Sequence, residues 1–171
     1  MRPSTSQRGF TLLEVMIVCA IVVVLAKVAI PAFFGESRKA KSDSEVAAMF
    51  AELSVREEQY KADNAVYLAA ATCPSTTSPT GTASSACIGT GATWTTLRVS
   101  PPESTLRCTY QIVQGDGSSS VTNPSGFTFT SPPQQWFYIL ATCDMDGSSA
   151  VNATYFTSST DSSIQSQNRG R

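Results

Sequence analysis

The sequence predicts an α+β protein, in which one long N-terminal α-helix packs against a roughly four-stranded antiparallel β-sheet. Two observations predict the helix: a nearly uninterrupted apolar run from Phe10 to Phe34, and an apolar stripe at three- and four-residue steps that continues to about residue 62. A third observation predicts the sheet: short β-prone runs separated by turn residues lie in 106–158.

The first nine residues form a short polar segment that carries Arg2 and Arg8 and ends at Gly9. An ordinary secretory signal places its small-residue cleavage site after the apolar region, whereas Gly9 precedes it. Removal as an ordinary secretory signal is therefore not expected. The flanking arginines predict that the N-terminus stays in the cytoplasm and that the chain beyond the apolar run is exported.

The apolar run from Phe10 to Phe34 predicts a single membrane span. Its 25 residues are enough to cross a hydrocarbon core of ~30 Å at ~1.5 Å per residue. Two charges, Glu14 and Lys27, limit the uncharged centre to Val15–Ala26, which suits a segment that later leaves the bilayer. An ionised carboxylate in hydrocarbon costs several kcal/mol and usually has a partner, so Glu14 is a candidate functional residue.

A second helical stretch follows the span. Pro31 and Gly35 are expected to weaken or kink the helix at the membrane exit, after which the apolar stripe resumes and ends before Asp63 and Asn64. We predict that this stripe packs on the sheet. Its members are Val46, Met49, Phe50, Leu53 and Tyr60.

Four of the five cysteines lie outside the apolar run, and this number predicts two disulfides in an oxidising compartment. A zinc site is the alternative, but no CxxC pair is present. Cys73 and Cys87 lie in a Ser/Thr-rich region, 64–105, that we predict to be a surface loop closed by their disulfide. Cys108 and Cys143 lie on predicted strands and form the natural second pair. Cys19, inside the apolar run, is interpreted as a small apolar side chain.

The predicted strands are followed by a polar tail, 159–171, that we expect to be mobile. The sequence Asp144-Met145-Asp146-Gly147 predicts the turn of a hairpin. Asp144 and Asp146 are also weak candidates for a calcium loop, which lacks the expected later acidic ligand, so no metal is expected. The predicted strands are Leu106–Gln114, Phe127–Thr130, Gln135–Cys143 and Val151–Ser158.

Composition excludes several classes of function. The 171 residues leave room for one domain and an anchor, and the net charge of −1 gives no general attraction to nucleic acid. The chain has no histidine, which removes the common catalytic triads, and it has no phosphate-binding glycine loop. We therefore expect neither an enzyme nor a cofactor, and no nucleic-acid partner.

Residues Gly9–Val18, with the sequence GFTLLEVMIV, resemble the cleavage and methylation site of type IV prepilins and their pseudopilin relatives. The resemblance extends to about Ser37 and includes Pro31. It implies a type IV pilin fold, removal of the leader between Gly9 and Phe10 by a prepilin peptidase, and N-methylation of Phe10. It also assigns Phe10, Glu14 and Pro31 to assembly. Lys27 departs from the uncharged run that is usual in this family.

The resemblance implies a structural subunit, major or minor, of a bacterial type IV pilus that supports motility, adhesion or surface display. Its expected partners are other pilin subunits, the peptidase and the inner-membrane assembly machinery. The chain would be a single-pass inner-membrane protein before assembly and extracellular afterwards. The alternatives are a pseudopilin of a type II secretion system, and a minor pilin that acts as an adhesin or DNA-binding module. Two disulfides, the Ser/Thr-rich loop and the unconvincing calcium loop favour the pilus.

Overall fold

The computed structural model describes residues 9–89, 91–124, 126–148 and 150–171. The chain divides into two compact units, one up to Glu36 and one from Ser37 to Arg171. Helix α1, Leu12–Asn64, contains Pro31 within its length, where the sequence predicted a weakened or kinked helix. Proline is tolerated there although it cannot donate a backbone hydrogen bond to the preceding turn.

The unit from Ser37 onward is built on a five-stranded antiparallel sheet with the order β1-β4-β5-β6-β7, and a small two-stranded sheet pairs β2 with β3. This confirms the α+β class and the long helix followed by an antiparallel sheet. The elements after α1 are β1 Ala70–Cys73, β2 Thr82–Ala83, a 3₁₀ turn Ser84–Cys87, α2 Thr93–Thr96, β3 Thr105–Leu106, β4 Cys108–Gly115, β5 Trp136–Cys143, β6 Ala153–Ser158 and β7 Gln165–Gln167.

Both faces of the five-stranded sheet are covered. Alternate residues of β5, such as Ile139 and Ala141, pack in the same core as Val46 and Leu53 of α1. The intervening residues of β5 point to the opposite face, because successive side chains of a strand alternate. There Trp136 and Tyr138 of β5 form a second, aromatic core with Phe156 of β6 and with Phe127 and Phe129, which precede β5.

The sheet differs from the sequence prediction in two details. It has five strands where about four were expected, because β1 and β7 pair at its two edges through backbone hydrogen bonds. The Gln165–Gln167 strand has no apolar alternation to predict it. The expected strand Phe127–Thr130 is absent: its Phe129 amide donates to the Asn123 side chain at 3.0 Å instead of to a neighbouring strand. The alternating phenylalanines reflect packing on the sheet.

The predicted loop 64–105 and mobile tail 159–171 also need correction. The first contains β1, β2, the 3₁₀ turn, α2 and the start of β3. The second contains β7, and its end is fastened twice. Arg169 forms an ion pair with Asp43 of α1, and the Arg171 carbonyl accepts the Met145 amide at 2.9 Å. The one apolar residue of the tail, Ile164, is exposed, so the order of the tail comes from polar contacts that hydrophobic patterns do not predict.

The structure contains the two disulfides expected from the sequence, Cys73–Cys87 and Cys108–Cys143. Cys108 and Cys143 are direct register partners on β4 and β5, so this bond ties together two neighbouring strands of the sheet. Cys73 and Cys87 join the end of β1 to the 3₁₀ turn. Cys19 is free and exposed.

Replacing both Cys73 and Cys87 by alanine is expected to lower the free energy of unfolding of unit 37–171 by about 3 kcal/mol, because a closed loop of about 15 residues restricts the unfolded chain by that amount. The loss should leave the sheet intact, because Cys108–Cys143 remains. Denaturant titration of the oxidised proteins measures it. An unchanged free energy of unfolding would show that the bond does not restrain the unfolded chain.

Candidate assembly site

Glu14 lies in the first turn of α1. The Glu14 amide donates to the Thr11 hydroxyl oxygen at 3.2 Å, and the Val15 amide donates to the Thr11 carbonyl at 3.3 Å. Thr11 is therefore the N-cap, and Glu14 occupies the third helical position, where a carboxylate also suits the helix dipole. The sequence Thr-Leu-Leu-Glu has the spacing of a capping box. This local role is worth at most about 1 kcal/mol and does not explain a carboxylate in an apolar run.

The apolar part of α1 is almost entirely exposed within its own unit. Phe10 is 83% exposed and Phe33 is 72% exposed. By length and composition α1 is able to cross a membrane, and its most apolar window has no buried residues. Phe10, Glu14, Val15, Val18 and Cys19 line a shallow, mostly apolar depression on its surface. A surface of this kind requires lipid or other apolar helices around it.

The structure places the predicted assembly residues in one unit. Gly9 and Phe10 precede α1 and are exposed, so the backbone between them is accessible. Glu14 and Pro31 are exposed on α1. No hydrogen bond or ion pair joins the Glu14 carboxylate to another residue within the described ranges. The cleavage, methylation and assembly roles of these residues remain predictions.

In the second unit, Glu45 fastens α1 to the sheet. Its Oε1 accepts the amides of Arg107 and Cys108 at 2.8 and 2.9 Å and the Tyr110 hydroxyl at 3.2 Å. Its Oε2 lies 3.5 Å from the Arg107 guanidinium. Burial raises the pKa of the Glu45 carboxyl, and these hydrogen bonds oppose the rise. The carboxylate thus supplies acceptors where β4 begins, next to the Cys108–Cys143 disulfide.

A second polar contact lies one turn earlier. The Tyr155 hydroxyl of β6 donates to Asp43 at 2.9 Å and lies 2.8 Å from the Ser42 hydroxyl. Asp43 also accepts the guanidinium of Arg169. Sequence analysis missed Ser42, Glu45 and the buried Glu57, although all three fall at the three- and four-residue spacing of the apolar stripe. The sequence does contain an indication of these contacts, because a polar residue stands at each of three positions that the spacing of the stripe assigns to the core.

Glu57 is fully buried on α1, and its Oε2 accepts the Leu68 amide at 2.9 Å. Its Oε1 has no hydrogen-bond partner within the described ranges. Burial raises the pKa of Glu57 to about 7, opposed by the Leu68 amide and assisted by the neighbouring charge of Glu58. Leu68 lies in the segment that connects α1 to β1, so the Glu57 carboxyl holds this segment against the helix.

The raised pKa of Glu57 predicts a pH-dependent stability. Folding favours the protonated form, so this contribution is complete below pH 4.5 and is lost as the pH rises through about 7. Relative to Glu57→Gln, unit 37–171 should lose about 3 kcal/mol of unfolding free energy over that range. Urea titrations at several pH values measure the difference. Glu103→Gln, which removes an exposed carboxylate, is the control, and parallel curves for the native chain and Glu57→Gln would contradict the prediction.

Asp144 and Asp146 form the turn between β5 and β6. Asp144 accepts the Gly147 amide at 2.6 Å, and Asp146 accepts the Ser148 amide at 2.8 Å. Gly147 has a φ of +74°, which glycine adopts without strain. No group of three or more candidate metal ligands occurs in the part of the chain that the structure describes. The hairpin prediction is confirmed by the pairing of β5 with β6.

Comparison with known proteins identifies the prokaryotic N-terminal methylation motif at residues 4–26. Among curated proteins, the type II secretion system core protein G of Escherichia coli (strain K12) is 42% identical over 67 residues, which are 39% of this chain and 46% of that protein. The protein of the same name from Vibrio cholerae is 40% identical over 67 residues, 39% of this chain and 45% of that protein. That of Dickeya chrysanthemi is 43% identical over 61 residues, 36% and 39% of the two chains.

These matches cover only part of each protein. The chain spans less than half the length of the curated relatives it matches. No solved structure matches it significantly. Three features of the chain point to the same class of protein: the methylation motif, the long N-terminal helix and the antiparallel sheet. The chain is pilin-like in these three features, and pilins and pseudopilins as a class are structural proteins and not enzymes.

Proposed function

We propose that the chain is a pseudopilin, a subunit of the periplasmic filament of a type II secretion system. The observation that carries this proposal is the similarity to core protein G in several bacteria, in a chain with the methylation motif. This function differs from the pilus subunit that the sequence alone favoured. Two disulfides and a Ser/Thr-rich loop had favoured the pilus, but neither feature excludes a periplasmic filament.

The proposed sequence of events begins in the inner membrane. α1 anchors the chain with its N-terminus in the cytoplasm, and unit 37–171 lies in the oxidising periplasm, where its two disulfides form. A prepilin peptidase cuts between Gly9 and Phe10, and Phe10 is methylated on its new amine. The inner-membrane secretion machinery then lifts the chain into a filament with other subunits.

Assembly is guided by the new amine of Phe10 and the carboxylate of Glu14 on a neighbouring subunit. Each charge is poorly solvated among apolar helices, so losing one partner leaves the other uncompensated at a cost of about 3–5 kcal/mol. Such a pair selects a register and adds little net stability. The exposure of both Phe10 and Glu14 supports this role.

A type IV pilus subunit is the second candidate. It is favoured by the turn at Asp144 and Asp146, whose oxygens accept backbone amides, and by the disulfide Cys108–Cys143 beside it. A domain held by covalent and polar contacts suits a filament outside the cell. The same N-terminal chemistry serves both assemblies, so an experiment in the host cell is required to distinguish the two candidate functions.

Deletion of the chain in its host tests the two candidates. A pseudopilin predicts that exported enzymes accumulate in the periplasm, while filaments sheared from the surface are unchanged. Complementation with the native chain should restore secretion. Normal secretion together with lost surface filaments would overturn the proposal in favour of the pilus. Periplasmic and culture-medium fractions measure the first outcome, and sheared fractions measure the second.

A further inference from the structure

We infer that Lys27 recognises a second copy of this chain: its ammonium pairs with the Glu14 carboxylate of a neighbouring protomer whose helix is parallel and staggered. The inference rests on the proposed assembly through α1. It adds a contact between two side chains, separate from the contact between Glu14 and the Phe10 amine.

Glu14 and Lys27 are the two charged residues between Phe10 and Phe34. Both are exposed on α1, and neither side-chain charge has an ion-pair partner within the described ranges. Their signs are opposite. An isolated charge surrounded by apolar helices or lipid is costly, and it is usually paired. A second copy of the chain supplies the matching charge for each of them.

Helix geometry excludes pairing within one chain. Thirteen residues separate Glu14 from Lys27, which is ~20 Å along an α-helix and about 140° around its axis. The two charges therefore lie on nearly opposite sides of the helix at different heights. A neighbour displaced by ~20 Å places its Lys27 beside Glu14, and the same contact repeats on the other side. A contact of this head-to-tail kind produces an open helical filament and not a closed dimer.

The stagger agrees with outward movement from the membrane. In the anchored chain, Glu14 lies near the inner interface and Lys27 near the outer one, where its long side chain reaches polar surroundings. Lifting one protomer by ~20 Å carries its Glu14 to the height of Lys27 in a protomer still in the membrane. Lys27 thus offers a counter-charge to Glu14 once Glu14 has crossed the hydrocarbon.

The Phe10 amine that pairs with Glu14 belongs to a different neighbouring protomer from the one that supplies Lys27. Phe10 precedes Glu14 by four residues, or ~6 Å, so pairing through the amine requires a much smaller displacement in the opposite direction. A carboxylate has two oxygens and accepts from two partners. One Glu14 can therefore contact two subunits of a helical array.

Cysteine cross-linking tests the stagger in the full-length chain. In a Cys19→Ala background, Val18→Cys lies one turn from Glu14, and Ile30→Cys lies three residues from Lys27. The two positions are ~18 Å apart in one helix, too far for an intrachain disulfide. Oxidised filaments of the double variant should give a ladder of multimers, whereas each single variant gives at most a dimer. Val18→Cys with Val23→Cys places the second thiol on the Lys27 face at a different height and should give no ladder. No ladder from the first pair, or equal ladders from both, would overturn the stagger.

Charge variants test the pair itself. Lys27→Leu makes the span more apolar, so membrane levels of the mature chain should not fall, but incorporation into filaments should drop by roughly tenfold or more. Lys27→Arg retains the charge and should stay within about twofold of the native chain. Native-level incorporation of Lys27→Leu would overturn the inference alone. A native chain that never enters a filament would overturn the proposed function as well.

Discussion

Glu14→Ala is expected to stop incorporation of the chain into its filament while leaving insertion and leader cleavage intact. The span becomes more apolar, so insertion is not weakened, and the cut lies on the other side of Phe10. The Phe10 amine of the neighbouring subunit would lose its counter-charge at a cost of about 3 kcal/mol or more, which corresponds to a roughly hundredfold loss. Immunoblots of membrane and filament fractions measure the change.

Two controls separate this effect from simpler ones. Val15→Ala removes a neighbouring exposed side chain without changing charge and should assemble normally. Glu14→Gln retains the shape but not the charge and should fail like Glu14→Ala. Loss of the interaction with the helix dipole alone costs less than about 1 kcal/mol, too little for a hundredfold effect. Native amounts of Glu14→Ala in the filament fraction would rule out the pairing with the amine.

Glu45→Ala is expected to destabilise unit 37–171 by at least about 3 kcal/mol. The substitution leaves the amides of Arg107 and Cys108 and the Tyr110 hydroxyl without their acceptor, and each buried donor without a partner costs about 1–3 kcal/mol. The loss approaches the whole stability of a small domain, about 5–15 kcal/mol. We therefore expect low yield and a large fall in the midpoint of thermal unfolding, measured by circular dichroism.

Glu45→Gln gives a graded comparison. Its amide oxygen can replace one acceptor, but its NH₂ group faces the donors of Arg107, so an intermediate loss is expected. Glu52→Ala is the matched control on the same helix, because Glu52 is partly exposed and pairs with Arg56 at the surface. A stability loss for Glu45→Ala no larger than for Glu52→Ala would show that the buried carboxylate does not hold the helix on the sheet.

The elements with strong local patterns were predictable from the sequence. The apolar run and its stripe gave α1, and Asp146-Gly147 between two β-prone runs gave the β5–β6 hairpin. The short motif from Gly9 to Glu14 gave the pilin-like class, because few chains place a carboxylate so early in an apolar run. These features depend on residues close together in the sequence.

What could not be predicted depends on contacts between distant residues. Glu45 lies 62 residues from Arg107, and Asp43 lies 126 residues from Arg169. No local sequence pattern predicts contacts between residues so far apart. The edge strand Gln165–Gln167 pairs through its backbone and carries no apolar period. The aromatic residues Phe127 and Phe129 resembled a strand because packing on a sheet face also selects alternating apolar residues.

The central claim is that Phe10 becomes the N-terminus of a chain that then assembles through α1. Mass spectrometry of the N-terminal peptide, from protein isolated from the native host, tests it most directly. The account predicts a peptide that begins at Phe10 and carries one added methyl group on its amine, and Gly9→Val should leave the leader attached. A mature chain that begins at Met1, or after the apolar run beyond Phe34, would contradict the account, because neither product presents the Phe10 amine to Glu14 of a neighbour.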